Sequence, residues 1–480
     1  MKTYKLSDFI KSSFVLVLSN LLLKSINFFL LPLYTVYLTP KLLGVSDSIT
    51  NITSFLFPLL VLCMDSAYSA FYFDEDRQDF KEKIFFTTRQ FLRLTSLLPV
   101  FGVLWSKNIS YNLFGSHDYY LVVAFALLSV SVNLWLLPYL LELRMQNKMV
   151  IYSVIHLGSA LLMILLNVVF LRYCKLGSLS LVLSLFISHC AQLLGLMLLF
   201  RKIKIKNKFD NSLLKQMLQF ALPLLPTVVL AWVLNMSDRM ILLHFCGADE
   251  VGIYGIGFRF ANILNVIVSA VYTAYTPFAF SNKSNKRGKQ AYRVTLHWLT
   301  AGLAIVALIA ALFARELVTL MTTEAYFRSA YVIRDLIFSQ VVFFMYTIIS
   351  YGIHFAKQTK YVTYITFAGA ATNILLNLWL IPNGGAQAAA LTTIVSYFVM
   401  LILTAIISTK LYPYDYKLFE LSTIFFAPYL GSILLESSRI VFKIIFVVLY
   451  ILFLIILKKK ELSIVLKLGR ETIARMKKKE

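Results

Sequence analysis

The sequence predicts an all-α polytopic membrane protein of about 14 transmembrane helices, arranged as two parallel-repeat six-helix lobes around a central cavity and followed by a C-terminal helix pair. Three observations predict it. Of 480 residues, 59% are hydrophobic and only 14% charged, against roughly 45–50% and 25% in soluble domains. Apolar segments of about 20 residues, long enough to cross roughly 30 Å of hydrocarbon, recur along almost the whole chain. Polar landmarks repeat as well: YLTPKLLG at 37–44, expected as a short loop between helices, returns as the loop FCGADEVG at 245–252, and ILLN at 164–167 returns at 374–377, a step of about 208–210 residues.

The expected spans of the first lobe (residues 1–205) are 12–37, 49–71, 90–106, 119–140, 150–171 and 178–200. Those of the second lobe (206–411) are 217–243, 251–276, 294–314, 335–355, 361–381 and 386–408. An added hairpin, 418–436 and 440–457, with a basic tail completes the chain (412–480). The first apolar stretch is too long for a signal-peptide core and lacks a small-residue cleavage site, which makes it a retained helix. An even number of spans per lobe keeps both repeats in one orientation, related by an axis along the membrane normal. Pro223 and Pro226 lie one turn apart and make the seventh span the expected bent element.

A net charge of +23 would suggest nucleic acid for a soluble protein, but the charges follow the alternation of the spans. With the N-terminus inside, roughly three-quarters of the 46 Lys and Arg fall on the inner side. No nucleic-acid partner is expected. The basic runs RKIKIKNK after Phe200, SNKSNKRGKQAYR after Phe280 and the tail from Lys458 read as topology signals and contacts for anionic membrane lipids. Both termini should face the cytoplasm. The four cysteines form no CxxC pair, and no P-loop, HExxH or Ser/His/Asp constellation occurs, so neither a metal nor an enzyme site is expected.

Polar residues inside the spans mark the candidate site. Asp47, Asn51, Ser54 and Pro58 step down one helix face, and Gly255, Arg259, Asn262 and Val266 step the same way in the second copy. Facing polar stripes in two similar lobes suggest a transporter with a shared cavity. Lys24 lies about 18 Å into the first span with Asn20 and Asn27 on its face, and Arg259 about 14 Å into the eighth. A cation at that depth needs water, an anionic ligand or a counter-ion. Arg259 is therefore either a cavity cation or half of an internal ion pair with Asp47 or Asp65. Arg239, with Trp232 and Asn235 on its side, either contacts substrate or anchors the helix near the outer surface. Asp238 points about 100° away from Arg239 and should serve another helix. Asp47, Asp65 and Asp238 are candidates for coupling-ion binding or for internal pairing. Trp232, Tyr254 and Tyr272 are candidate platforms for sugar faces, with lipid contact or packing as the alternative that so aromatic a chain favours.

The stretch from Lys24 through LLPLYTVYLTPKLLGVSDSITNITSFLFPLL to MDSAYSAFYF resembles the opening of bacterial oligosaccharide flippases, the O-antigen and capsule repeat-unit transporters of the multidrug, oligosaccharidyl-lipid and polysaccharide exporter superfamily. LLKQMLQFALPLLP, LNMSDRMILLHFCGADEVGIYGIGFRFANIL and KQTKYVTYITFAGAATNILLNLWLIPNGG carry the same resemblance through the second lobe. Ala70 departs from it, standing where many relatives carry a basic residue. The resemblance implies an undecaprenyl-pyrophosphate-linked oligosaccharide, moved between leaflets of the bacterial cytoplasmic (inner) membrane by alternating access. It implies a polysaccharide polymerase and chain-length machinery as partners. No cofactor is expected; energy would come from a coupling ion, Na+ or H+, or from the membrane potential. Arg and Lys suit a pyrophosphate because they supply charge and multiple donors. A multidrug/cation antiporter of the same superfamily is the alternative, and a polysaccharide polymerase a more distant one.

Overall fold

The computed structural model describes residue 28 and residues 30–72, 78–146, 148–201, 209–281, 286–356, 358–413 and 416–457. Among these residues every regular element is helical and no strand occurs. A chain in hydrocarbon satisfies its backbone donors and acceptors within itself, which the helix achieves. Nine helices among the described residues are long and apolar enough to span a membrane, or ten if the bent pair Asn211–Leu224 and Val228–Leu234 is one span. The chain is thus an all-α polytopic protein. Most of the first expected span, with Lys24, Asn20 and Asn27, lies outside the described residues.

Several boundaries differ from expectation for local reasons. The segments 37–44 and 245–252 are not loops but helix starts: after Leu38 and Thr39 a helix runs Pro40–Val61, and after Gly247 another runs Ala248–Ser281. Thr39 caps the first, its side chain accepting from Leu42 N, with Pro40 at a position where the missing N–H costs nothing. The expected 49–71 span breaks at Leu62 and Cys63, whose φ values of 50° and 55° are left-handed, and resumes as Met64–Phe71. Two non-glycine residues in that region store strain of order 1–3 kcal/mol each. The expected 361–381 and 386–408 spans are two helices within Lys360–Leu411, meeting at a kink where Gly385 leaves the helical conformation (φ 55°, ψ −141°). The 90–106 segment is divided among Gln78–Thr95, Leu97–Gly102 and a 3-10 turn at Val103–Trp105. At Pro223 and Pro226 the chain passes through a 3-10 turn, Leu222–Leu224, and bends by 43°.

Two compact units emerge. The first gathers the residues up to Arg259 with Met321–Arg328 and Ala370–Ala389. Its Tyr120–Met145 helix packs against Leu179–Phe200, Pro40–Val61 and Gln78–Thr95, over a core that includes Met64, Tyr68, Ile84, Leu134 and Leu196. Buried in this core, Glu142 accepts hydrogen bonds from the Tyr68 hydroxyl, from Tyr72 at 3.1 Å and from Gln146 at 2.5 Å. Three neutral donors thereby compensate a buried carboxyl.

The second unit gathers Phe260–Leu320, Ser329–Gly369 and the chain from Ala390 onward. Here Lys286–Leu312 packs against Ala330–Ile349 and Leu418–Leu434. Polar bonds fasten the C-terminal hairpin: Lys443 to Glu316 at 2.7 Å, Arg334 to Glu436 at 2.6 Å, and the Tyr429 hydroxyl to Asp335 at 2.9 Å. Lys443 is 2% exposed, so its partner is essential to its burial.

Candidate substrate site

Within the first unit the two repeat-related helices cross at glycine. A Cβ on Gly44 would fall on the Ala248 carbonyl, and one on Gly252 would fall on the Pro40 carbonyl. Gly44 and Gly252 stand about 208 residues apart, as do Pro40 and Ala248. The contact is reciprocal, each copy's glycine receiving the other copy's first turn. The same step relates Gly177 (φ +57°), packed on Leu42, to Gly385 (φ +55°), packed on Glu250. The Ala386 N–H donates to Glu250 at 3.0 Å, and Arg328 pairs with the same carboxylate at 2.7 Å.

One turn beyond the crossing, repeat partners carry different chemistry. Asp47 corresponds to Gly255, and Asn51 to Arg259. The Arg259 guanidinium donates to both oxygens of Asp47, at 3.0 and 2.8 Å, a bidentate fork of the strong class. Gly255 makes this possible, because any Cβ there would occupy the position of Asp47 Oδ2. The two side chains are 16% and 17% exposed. Tyr34 places its ring 5.9 Å from the guanidinium, and its hydroxyl accepts from Asn167 Nδ2 at 3.2 Å. Arg259 is therefore neutralised locally.

Arg239 is held differently. Its Nη1 donates to Asn51 Oδ1 at 2.7 Å, and the guanidinium lies over the Phe258 ring at 4.2 Å. Arg239 Nε and Asn51 Nδ2 are buried without hydrogen-bond partners among the described residues. Asp238, 4% exposed, accepts the Tyr254 hydroxyl from the next helix and the Arg239 backbone N–H at 3.0 Å. This carboxyl indeed serves another helix. Ser237 and Asn377 both donate to Asn373 Oδ1 at 3.0 Å. The guanidinium of Arg239 thus makes its side-chain hydrogen bonds to neutral acceptors.

Residues 223–379 match the family model MatE. A comparison with curated proteins gives no match. Among solved structures, the lipid II flippase MurJ in an inward closed conformation superposes with a TM-score of 0.69 at 15% identity, covering 95% of this chain and 99% of that one. An inward-facing multidrug resistance MATE transporter of the MOP superfamily gives 0.63 at 12% identity, covering 84% and 95%. MATE in the straight conformation gives 0.55 at 11% identity, covering 87% and 96%. The chain has the fold that these solved structures share.

On this fold the sequence-derived site residues divide. The structure brings Asp47 to Arg259 and sets Arg239, Asp238 and Trp232 on neighbouring turns of Leu225–Cys246. Trp232 Nε1 donates to Ser54 at 3.1 Å, and its ring lies 4.3 Å from that of Phe55. Asp65 sits exposed in the first turn of Met64–Phe71 and forms no ion pair among the described residues. Asn262 is half-buried on the second unit's part of the Ala248–Ser281 helix. Tyr272, also there, is 41% exposed beside Tyr351. Lys24, Asn27 and the side chain of Asn235 lie outside the described residues. Tyr34 and Asn167 complete the Arg259 environment and were absent from the expected set. The returning ILLN signal pointed to Asn167, but not to its partner.

Proposed function

We propose that this chain is a flippase for an oligosaccharide linked to undecaprenyl pyrophosphate, carrying it from the inner to the outer leaflet of the bacterial inner membrane for surface polysaccharide synthesis. The observation that carries this reading is Arg239. A buried guanidinium whose head is met by an amide oxygen and aromatic faces, with one donor unsatisfied, is suited to a phosphoryl group. Arg259, already paired to Asp47, would shape the site and hold the helix crossing. Two further features support the reading: the likeness to a lipid II flippase over 95% of this chain, and the cationic character expected at Lys24. The lobes would rock about the repeat axis, driven by an ion gradient or the membrane potential, with the polyprenyl tail remaining in the bilayer.

The test is deletion in the native host followed by analysis of lipid-linked intermediates and their leaflet. Flipping predicts a complete repeat unit trapped on the inner leaflet and loss of the surface polymer. Single repeat units accumulating outside would instead identify a polymerase. The MatE match over residues 223–379 favours a multidrug/cation antiporter as the second reading. Unchanged lipid intermediates together with raised drug sensitivity would select it.

A further inference from the structure

Three helices of the first unit, Pro40–Val61, Tyr120–Met145 and Leu179–Phe200, line an open cavity of about 290 Å³. Its wall is mixed: Phe57, Ala126, Val130, Val182 and Leu185 make most of its surface apolar, and polar side chains from all three helices interrupt it. Thr50, Thr53 and Ser54 line it from the first helix, Ser129 and Asn133 from the second, and His189 from the third. None of the residues lining it is Asp, Glu, Lys or Arg.

The hydrogen bonds determine what this wall offers. Thr50 donates to the Ser46 carbonyl at 2.7 Å, Thr53 to the Thr50 carbonyl at 3.0 Å, and Ser54 to the Asn51 carbonyl at 2.7 Å. Their protons are committed to the helix, which leaves the Thr50 and Thr53 oxygens as acceptors, while the Ser54 oxygen already accepts from Trp232 Nε1 at 3.1 Å and keeps one lone pair. Ser129 Oγ and His189 Nδ1 lie 3.0 Å apart. Asn133, half-buried, has no hydrogen bond recorded to any described residue, so its amide keeps two donors and the lone pairs of its carbonyl.

An ion would find no counter-charge on this wall. A guest that is apolar all round would leave the serine, threonine, asparagine and histidine groups without hydrogen bonds, whereas one with apolar faces and a polar rim matches both the Phe57, Val130 and Leu185 surface and those groups. A neutral ring bearing several hydroxyls can donate to the threonine and serine oxygens and exchange bonds with the amide and imidazole. The volume lies at the small end of the roughly 300–1,000 Å³ typical of ligand pockets, which suits one ring and not a chain of them. The cavity also borders the charged site: Ser54 donates to the backbone of Asn51, whose side chain accepts from Arg239.

We infer that this cavity is a neutral-sugar subsite for a single pyranose ring, with Asn133 and His189 reading its hydroxyl pattern. It rests on the flippase reading for the origin of the sugar, but its test does not require flipping.

Full-length protein in lipid nanodiscs is examined by saturation-transfer NMR against methyl glycosides of a neutral hexose, an N-acetylhexosamine and a uronic acid. At least one neutral glycoside should bind in the millimolar range, with the uronic acid at least tenfold weaker. Asn133→Leu, similar in size, and His189→Ala should each weaken that binding at least tenfold, whereas Thr409→Val in the second unit should leave it unchanged. Melting temperature in the nanodisc shows that the variants fold. Absence of glycoside binding to folded wild-type protein, or binding that Asn133→Leu and His189→Ala leave intact, overturns the subsite even if the deletion strain traps lipid-linked repeat units. Binding of tetraphenylphosphonium that competes with the glycosides and is lost in the same variants also overturns it, in favour of an organic-cation pocket. Glycoside binding lost in both variants supports the subsite even if that strain shows no trapped intermediate, so the two readings fail separately.

Discussion

Gly255 stands against Asp47 so closely that the carboxylate occupies the space of the missing side chain. The fork between Asp47 and Arg259 depends on a residue that takes no part in it. Gly255→Ala should displace Asp47 and crowd Arg259 Nη1, which a Cβ would meet at 3.2 Å. The expected outcome is a lower melting temperature in detergent and reduced transport. Adding Asp47→Ala together with Arg259→Ala should recover part of the lost stability, since it clears the obstruction and leaves neither charge unpaired; no recovery would show that the glycine is required for another reason.

The ion pair itself should be strongly coupled. Removing either partner alone leaves a largely buried charge uncompensated, at a cost of about 3–5 kcal/mol. Asp47→Ala and Arg259→Ala should each lower protein abundance and thermal stability, while the double variant should be closer to wild type than their sum. A double-mutant cycle on the melting transition measures this coupling. Additive effects would mean that the pair contributes little beyond its two separate side chains.

Arg239 should behave in the opposite way. Its side chain hydrogen-bonds a neutral amide; Arg239→Ala takes a neighbouring cation from the buried Asp238 but leaves that carboxyl its bonds from the Tyr254 hydroxyl and the backbone N–H of residue 239, and the variant is expected to lose less abundance than Arg259→Ala. Transport, read as lipid-linked repeat units reaching the outer leaflet, should fall at least tenfold. Arg239→Lys should retain part of the activity, because the charge remains while the planar fork is lost. Normal transport by a well-expressed Arg239→Ala protein would remove this residue from the substrate site.

Orientation is open to direct labelling. Cysteines introduced by Asn207→Cys, Lys286→Cys and Lys477→Cys should react only from the cytoplasm, and one introduced by Asp249→Cys only from outside, as the charge bias requires. Labelling of Lys286→Cys and Asp249→Cys from one side would place both ends of the Ala248–Ser281 helix on the same face.

Much of the architecture was legible because membrane helices announce themselves by length and apolarity, and because the repeat places glycine and asparagine at fixed steps. The sequence stripe Asp47, Asn51, Ser54 did predict one polar face. It could not say which partner each residue would choose: Asp47 and Asn51 receive two arginines from two different helices, and helical periodicity gives a face without naming its neighbour. The helix starts at Pro40 and Ala248 were read as loops because proline and glycine interrupt helices as readily as they begin them. The break at Leu62 and Cys63 carried no signal at all, since neither residue type favours left-handed backbone. His189 and Asn133 were passed over as isolated polar residues in apolar spans; only packing brings them to one cavity.

The glycine crossing also bears on descent. Two half-length chains dimerising about a two-fold axis would make the same contact, each placing its glycine against the other's first helical turn, because a symmetric interface meets itself. Such a dimer must carry identical residues at the positions now held by Asp47 and Gly255: aspartates on both sides would crowd two carboxylates together, and glycines on both would leave the arginines unanswered. Fusion into one reading frame removes that restriction. The lopsided pair of Asp47 and Arg259 is an arrangement available only once the two halves can mutate independently, and it marks this interface as one that no longer needs, or tolerates, the exchange of its halves.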